Sequence, residues 1–280
     1  MIDMPELPEV ETVRKGLVSL VKGKTIAKVD VYWPRIVEFP EVEIFQQQLI
    51  GETIETVERR GKYLIFQFTH YEMVSHLRME GKYEYFKQPT PLDKHSHIRF
   101  IFSDGSELVY HDVRKFGRMA LLKKGTAKEY KGLAQLGPEP TDEDFDLALF
   151  KQQLKKSSTM IKPLLLNQKV VAGLGNIYVD EVLWLAKIHP EQPANTLSAQ
   201  SVRRLREASI EVIGKAKEAG GTTIRTYLNA LGEAGHFQQE LHVYGQTGMP
   251  CSRCGTPIIK IKVAQRGTHL CPHCQKLKKV

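Results

Sequence analysis

Two sets of residues in this 280-residue chain have the types and spacing that chemistry requires. All four cysteines lie near the C-terminus, in the pattern Cys251-x2-Cys254-x16-Cys271-x2-Cys274. Thiolate pairs two residues apart on tight turns, with enough chain between them for a β-hairpin, make a tetrahedral S4 site for structural zinc. The alternatives are four independent buried thiols or two disulfides. Four thiolates leave no open coordination position, so such an ion organises structure and does not activate water. At the other end stands Met4-Pro5-Glu6-Leu7-Pro8-Glu9-Val10-Glu11. With Pro5 as the first residue, its nitrogen is a secondary amine that can attack an electrophilic sugar carbon and form an iminium. A terminal amine has an ordinary pKa of about 8, so a useful fraction is neutral at cellular pH. Glu6 beside it supplies a general acid. The plain alternative is a rigid, acidic lead-in to a helix.

Met1-Ile2-Asp3 precedes Met4. With those residues in place the nitrogen of Pro5 belongs to an amide and has no nucleophilic lone pair. Either the active protein starts at Met4, or the extension is removed, or the protein as written is inactive; a start at Met4 followed by methionine removal is the expectation.

Charge agrees with a polyanionic partner. Residues 246–280 contain seven Lys and Arg and no Asp or Glu. A zinc ion with four thiolates takes back two charges and leaves the module basic, as suits gripping phosphates. The whole chain carries 40 basic against 32 acidic residues, a formal +8. No cysteine lies outside the module, so there is no disulfide framework and a reducing compartment is expected. With no long apolar run and no charged-then-apolar leader, the chain reads as soluble and cytoplasmic, with no membrane partner.

These residues need elements to position them. Val10, Val13, Leu17, Leu20 and Val21 fall at helical spacing and predict a helix ending near Gly23. Residues 28–33, 63–68, 73–77, 82–86, 97–102 and 107–110 are short β-branched and aromatic runs between turns, which predicts an antiparallel β-sandwich. Residues 136–140 read as a rigid linker, and Thr141 with Asp144 as the cap of a helix over 145–155. Further helices are expected over 161–167, 176–187 and 199–219, the last capped by Ser198 and stopped by Gly220-Gly221. The stretch 222–248 is too long for an ordinary connector and is expected to be functional. The fold class is α+β: an N-terminal helix on a β-sandwich (1–134), a helical domain (135–245) and a zinc hairpin (246–280). His95-x-His97 puts two rings on one face, which leaves a second metal site open, but structural roles are expected for His76, His95, His97 and His111.

Four motifs together resemble formamidopyrimidine-DNA glycosylase. They are Pro5-Glu6-Leu7-Pro8-Glu9-Val10-Glu11, Asp112-Val113-Arg114-Lys115-Phe116-Gly117, Gly173-Leu174-Gly175-Asn176-Ile177-Tyr178 and Arg266-Gly267-Thr268. They span nearly the whole chain in the family's order. Leu7, Val10 and the Arg-Lys-Phe-Gly motif resemble this family more than its sister, endonuclease VIII. The resemblance implies a bifunctional glycosylase and lyase that removes oxidised purines from double-stranded DNA, acting as a monomer with one structural zinc ion. It implies Pro5 as nucleophile and Glu6 as acid, with Lys62, Asn176 and Arg266 as phosphate clamps. Met79, Arg114 and Phe116 match the residues that fill the vacated stack, with Phe116 as wedge and Arg114 reading the orphaned cytosine. His95 is placed with the DNA-binding residues. Glu80 and residues 222–225 are candidates for touching the flipped base. Two other readings stay open, a pyrimidine-preferring enzyme of the sister family and a DNA-binding protein without catalysis.

Overall fold

The computed structural model describes residues 4–222 and 235–278. Residues 1–3 and 223–225, which figured in the expectations above, lie outside the described residues. The helices are α1 (Leu7–Val21), α2 (Val42–Leu49), α3 (Lys131–Ala134), α4 (Leu147–Lys155), α5 (Ile161–Leu166), α6 (Asn176–Leu185) and α7 (Ala199–Glu218). The strands of the first half are β1 (Ile26–Val31), β2 (Val37–Phe39), β3 (Ile54–Arg60), β4 (Tyr63–Phe68), β5 (Tyr71–His76), β6 (Lys82–Phe86), β7 (Ser96–Phe102), β8 (Glu107–His111) and β9 (Arg118–Lys123). A C-terminal pair follows, β10 (Ile259–Val263) and β11 (Arg266–Leu270). The chain clusters into two compact units, and the described residues of each are treated separately below.

The first unit holds Met4, Pro5 and residues 9–134. Its strands form a four-stranded sheet, β1-β7-β8-β6, and a five-stranded sheet, β2-β9-β5-β4-β3. Alternation dictates the layering. In β7, Ile98, Phe100 and Phe102 turn inward, and Leu64, Phe66 and Phe68 of β4 meet them in a shared core with Val10, Val13, Leu17 and Val21 of α1. This is the expected sandwich, except that β2 pairs with β9 in parallel, and five elements lie beyond the predicted set: β2, β3, β9, α2 and α3. The eight-residue α2 buries only Phe45 and Leu49 behind a run of glutamines, too short a period to read. β3 carries four charged residues among seven and buries only Ile54 and Val57.

The second unit holds residues 6–8, 135–222 and 235–278. Its core gathers Phe145, Phe150, Leu165, Tyr178, Val182, Leu205 and Ile213 around α6. Residues 177–184 of α6 are buried on every side, including Asp180 and Glu181. Among the described residues, no helix is long and apolar enough to cross a membrane.

One expected cap moves. Helix α4 starts two residues later than predicted, because the Asp146 side chain accepts from the Leu149 amide at 2.7 Å. Thr141 instead closes a preceding turn, its Oγ1 accepting from the Asp144 amide at 3.1 Å, and Phe145 packs on Phe150 in the core. Ser198 caps α7 as expected, accepting from Ser201 N at 3.2 Å.

Candidate functional site

In the second unit the site is built on the N-terminus of α6. The first amides of a helix have no intrahelical acceptors, and the helix dipole favours negative charge there. Glu6 supplies both needs. Its Oε2 accepts from Gly175 N at 2.6 Å and its Oε1 from Ile177 N at 2.8 Å, with Tyr178 N a further 3.4 Å contact to Oε2. The side chain is 1 % exposed, so its orientation is fixed. The glycines before α6 make this docking sterically possible. A Cβ on Gly175 would lie 2.4 Å from Glu6 Cδ, and one on Gly173 would lie 2.4 Å from Leu7 Cδ1. Gly173 also takes φ +95°, a left-handed region that side chains rarely occupy, while its carbonyl accepts from the Leu7 amide at 3.0 Å. The glycines therefore do more than break a helix or open it to phosphate: they seat residues 6 and 7. Asn176 opens α6, and its Oδ1 is buried with no hydrogen-bond partner among the described residues.

Further along α6, successive turns fasten the cysteine module. Lys162 Nζ and Asp180 Oδ1 form an ion pair at 2.7 Å, both side chains fully buried. Lys162 also donates to Gly267 O at 3.0 Å, and Asp180 Oδ2 accepts from His269 N at 2.8 Å. One buried pair thus grips β11 directly beside Arg266. Glu181 accepts from the amides of His242, Val243 and Tyr244 at 2.8–2.9 Å. Trp184 donates through its indole N–H to Cys251 Sγ at 3.4 Å and lies in an apolar cluster with Val243, Ile258 and Cys271. The β10–β11 turn places Ala264 and Gln265 at φ +43° and +65°, so Arg266 follows a tight two-residue hairpin turn.

The four cysteine sulfurs lie within 4.8 Å of one another, and those of Cys254 and Cys271 are 3.5 Å apart. Zinc–sulfur bonds of about 2.3 Å in a tetrahedron put sulfurs roughly 3.8 Å apart, so the quartet fits one zinc ion. Cys251, Cys254, Cys271 and Cys274 form a structural zinc site. Among the described residues no other cluster of three or more such ligands occurs. His95 and His97 do not converge: His95 lies in the turn before β7 with its ring edge-on to His111, whereas His97 Nε2 meets Asp112 O at 2.7 Å.

The first unit presents its candidates on short loops. Residues 112–117 carry Arg114 and Phe116, and the guanidinium of Arg114 lies over the Phe116 ring at 4.9 Å. Phe116 is 45 % exposed, which is unusual for a large aromatic residue in a loop this well anchored. Its anchor is Asp112, wholly buried, whose Oδ1 accepts from Arg114 N at 3.0 Å and Oδ2 from Gly117 N at 2.8 Å. The Asp112 amide donates to the His95 carbonyl at 2.9 Å, so His95 supports this loop through its backbone. Lys115 is held at φ +59° with its ammonium 4.0 Å above the Trp33 ring. Met79 is half-buried in the turn after β5, next to Arg78 at φ +58°.

Lys62 departs from the solvated lysine that its sequence context suggests. It follows Gly61 (φ +57°) in the β3–β4 turn and is only 4 % exposed. Burial, then the neighbouring charges of Arg78 and Lys62, hold the His76 imidazole down at about 3. His76 Nδ1 accepts from the Arg78 amide at 3.0 Å. Lys62 and Arg78 thus supply positive charge suited to an anion, with the neutral His76 imidazole between them in sequence and its pKa lowered by both. His76 and Asp112 carry functional geometry that the sequence reading did not assign. His76 gave no signal, being one of ten histidines, whereas Asp112 opens a quoted motif and could have been read as its turn-forming carboxylate.

This pairing of a sandwich bearing exposed loop residues with a helical unit carrying a zinc hairpin defines a class of DNA-repair proteins. Residues 4–119 match the N-terminal domain of formamidopyrimidine-DNA glycosylase, 136–228 its H2TH domain, and 248–277 the zinc finger found in FPG and IleRS. The formamidopyrimidine-DNA glycosylase of Enterococcus faecalis is 65 % identical over 275 residues, covering 98 % of both chains. That of Latilactobacillus sakei is 55 % identical over 97 % of this chain and 98 % of its own. Among solved structures, Lactococcus lactis Fpg bound to N7-benzyl-Fapy-dG DNA superposes with a TM-score of 0.92 at 50 % identity, over 97 % of this chain and 100 % of that one. The same enzyme with abasic-site DNA gives 0.91 at 49 % identity, over 97 % and 99 %. The chain belongs to the formamidopyrimidine-DNA glycosylase family.

Proposed function

We propose that this protein excises oxidised purines, 8-oxoguanine and formamidopyrimidines, from double-stranded DNA and then cleaves the strand. The observation that carries the reading is the seating of Glu6 on three amides at the start of α6, those of Gly175, Ile177 and Tyr178, which fixes a carboxylate one residue from Pro5. Pro5 nitrogen attacks C1′ of the damaged nucleotide and the base leaves. The Glu6 carboxylate takes the proton shed by the Pro5 nitrogen and gives it to the sugar ring oxygen, the bond from C1′ to that oxygen breaks, the ring opens and an iminium joins protein to DNA. Loss of a C2′ proton expels the 3′ phosphate, and a second elimination expels the 5′ phosphate. Lys62, His76, Asn176 and Arg266 hold phosphates around the lesion. Met79, Arg114 and Phe116 occupy the space left by the extruded nucleotide, whose unstacking costs a few kcal/mol.

Borohydride trapping tests the chemistry. Protein beginning at Pro5 is expected to form a covalent adduct with 8-oxoguanine duplex, and protein retaining Met1-Ile2-Asp3 to bind without trapping. Robust trapping by protein whose mass includes those residues would exclude Pro5 and direct attention to a lysine, Lys62 first. Glu6→Gln should lose base excision while sparing some lyase activity. Faster excision of oxidised pyrimidine than of 8-oxoguanine would overturn the substrate assignment.

A further inference from the structure

The loops bearing Met79 and Phe116 are separate in sequence, yet one atom lies against both. Tyr110, near the end of β8, is fully buried. A Cβ on Gly81 would lie 2.1 Å from the Tyr110 hydroxyl oxygen, and one on Gly117 would lie 1.7 Å from it. The phenol oxygen therefore fills the space that side chains at positions 81 and 117 would need. Gly81 closes the Met79 turn, its amide donating to Leu77 O at 3.0 Å, and Gly117 closes the Phe116 loop on Asp112 at 2.8 Å.

The ring that carries this oxygen cannot drift. Tyr110 pairs with Tyr83 across the β6–β8 ladder, their rings 5.2 Å apart and nearly edge to face. Tyr83 is tied in turn to β5, its hydroxyl donating to Ser75 Oγ at 2.8 Å. Core side chains at native density have little freedom, so displacing either loop inward means moving a fixed oxygen.

We propose that Tyr110 is a positioning residue that couples the two loops, so that Met79, Arg114 and Phe116 enter the duplex as one unit. The proposal rests on the wedge reading given above. It accounts for glycine at 117 and contributes to it at 81, where Leu77 O, 2.5 Å from the Cβ position, excludes a side chain as well.

The test uses Tyr110→Phe in the full chain, which deletes the oxygen and keeps the ring. Amide hydrogen exchange of the free protein should quicken at Gly81 and at Gly117 together. Single-turnover excision from 8-oxoguanine duplex should fall about tenfold, the scale of a small misplacement, while cleavage of a preformed abasic site stays unchanged. In a Met79→Ala/Phe116→Ala background, Tyr110→Phe should add no further loss. Gly81→Ala is the second variant, pressing on the same oxygen from one side, and it should perturb exchange at Gly117. Exchange altered at one loop alone or at neither would overturn the coupling, as would an equal loss in the double-variant background. Full-rate duplex excision by Phe116→Ala would instead remove the wedge reading and with it the coupling's role in DNA insertion. The exchange pattern distinguishes that failure from absence of the tie itself.

Discussion

The Phe116 loop and helix α6 hold their candidate site residues by opposite means. In the sandwich, Phe116 and Arg114 stand exposed on a six-residue loop whose backbone is fixed from beneath by the single carboxylate of Asp112. In the helical unit, the groups that position Glu6 and Arg266 are buried on and around α6, among them the fully buried pair of Lys162 on α5 and Asp180 on α6. Side chains at exposed tips can change without disturbing the fold that presents them. Buried charges cannot, because removing one partner strands the other in a medium that solvates it poorly. Tip and scaffold are thus separable at Phe116 and fused along α6.

The largest effect that can break this comparison comes from the metal. Structural zinc contributes apparent binding energies of about 10–16 kcal/mol in finger peptides. Cys271→Ala should release zinc, disorder the hairpin and weaken DNA binding, read by metal content and binding isotherms. Zinc content and affinity at the level of the unaltered protein would sink the assignment. Next, Lys162→Met should cost about 3–5 kcal/mol, since it leaves Asp180 charged and buried. Denaturant unfolding measures this, and loss of Arg266 placement should appear as weaker binding with a shallower salt dependence.

Gly175→Ala sharpens the contrast at smaller scale. Its Cβ would meet Glu6 Cδ at 2.4 Å, so a cost of about 1–3 kcal/mol is expected, with excision falling as Glu6 is pushed aside. His76→Gln tests the first unit through pH. The folded imidazole stays neutral down to about 3, whereas the ordinary value is 6.5, so between those limits the unfolded chain binds a proton that the folded chain refuses. Stability therefore rises with pH across that window, and His76→Gln should flatten the rise in unfolding free energy. Smallest in stability is Phe116→Ala, expected to stay within about 0.5 kcal/mol in unfolding experiments. It should nevertheless slow excision from duplex more than cleavage of a preformed abasic site.

The legible parts of the site were those whose chemistry is set by neighbours in the chain. The cysteine pairs, Pro5-Glu6 and the Arg114–Phe116 run declare themselves within a few residues. The amphipathic run 10–21 of α1 and the alternating β7 were equally plain, since each buries one face against the sandwich core. What could not be read were partnerships across long stretches of chain. Nothing near Gly175 announces Glu6, and nothing near Lys162 announces Gly267. Lys62 and Asp112 look like surface charges until the fold buries them. The position of α4 slipped because Thr141 and Asp146 are both competent caps, and the burial of Phe145 decides between them.

Helix α6 has a consequence for how the protein is made. Glu6 reaches amides 169 to 172 positions further along the chain, and Lys162 reaches a carbonyl 105 positions ahead. Contacts of such separation are slow to close, and none can form before both partners have been synthesised. A nascent chain has Pro5 and Glu6 from its first moments, but Glu6 has no seat until α6 has emerged from the ribosome. The hairpin that α6 secures comes later still. Translation therefore delivers Glu6 first and its seat last, so a truncated chain carries the carboxylate without the amides that hold it.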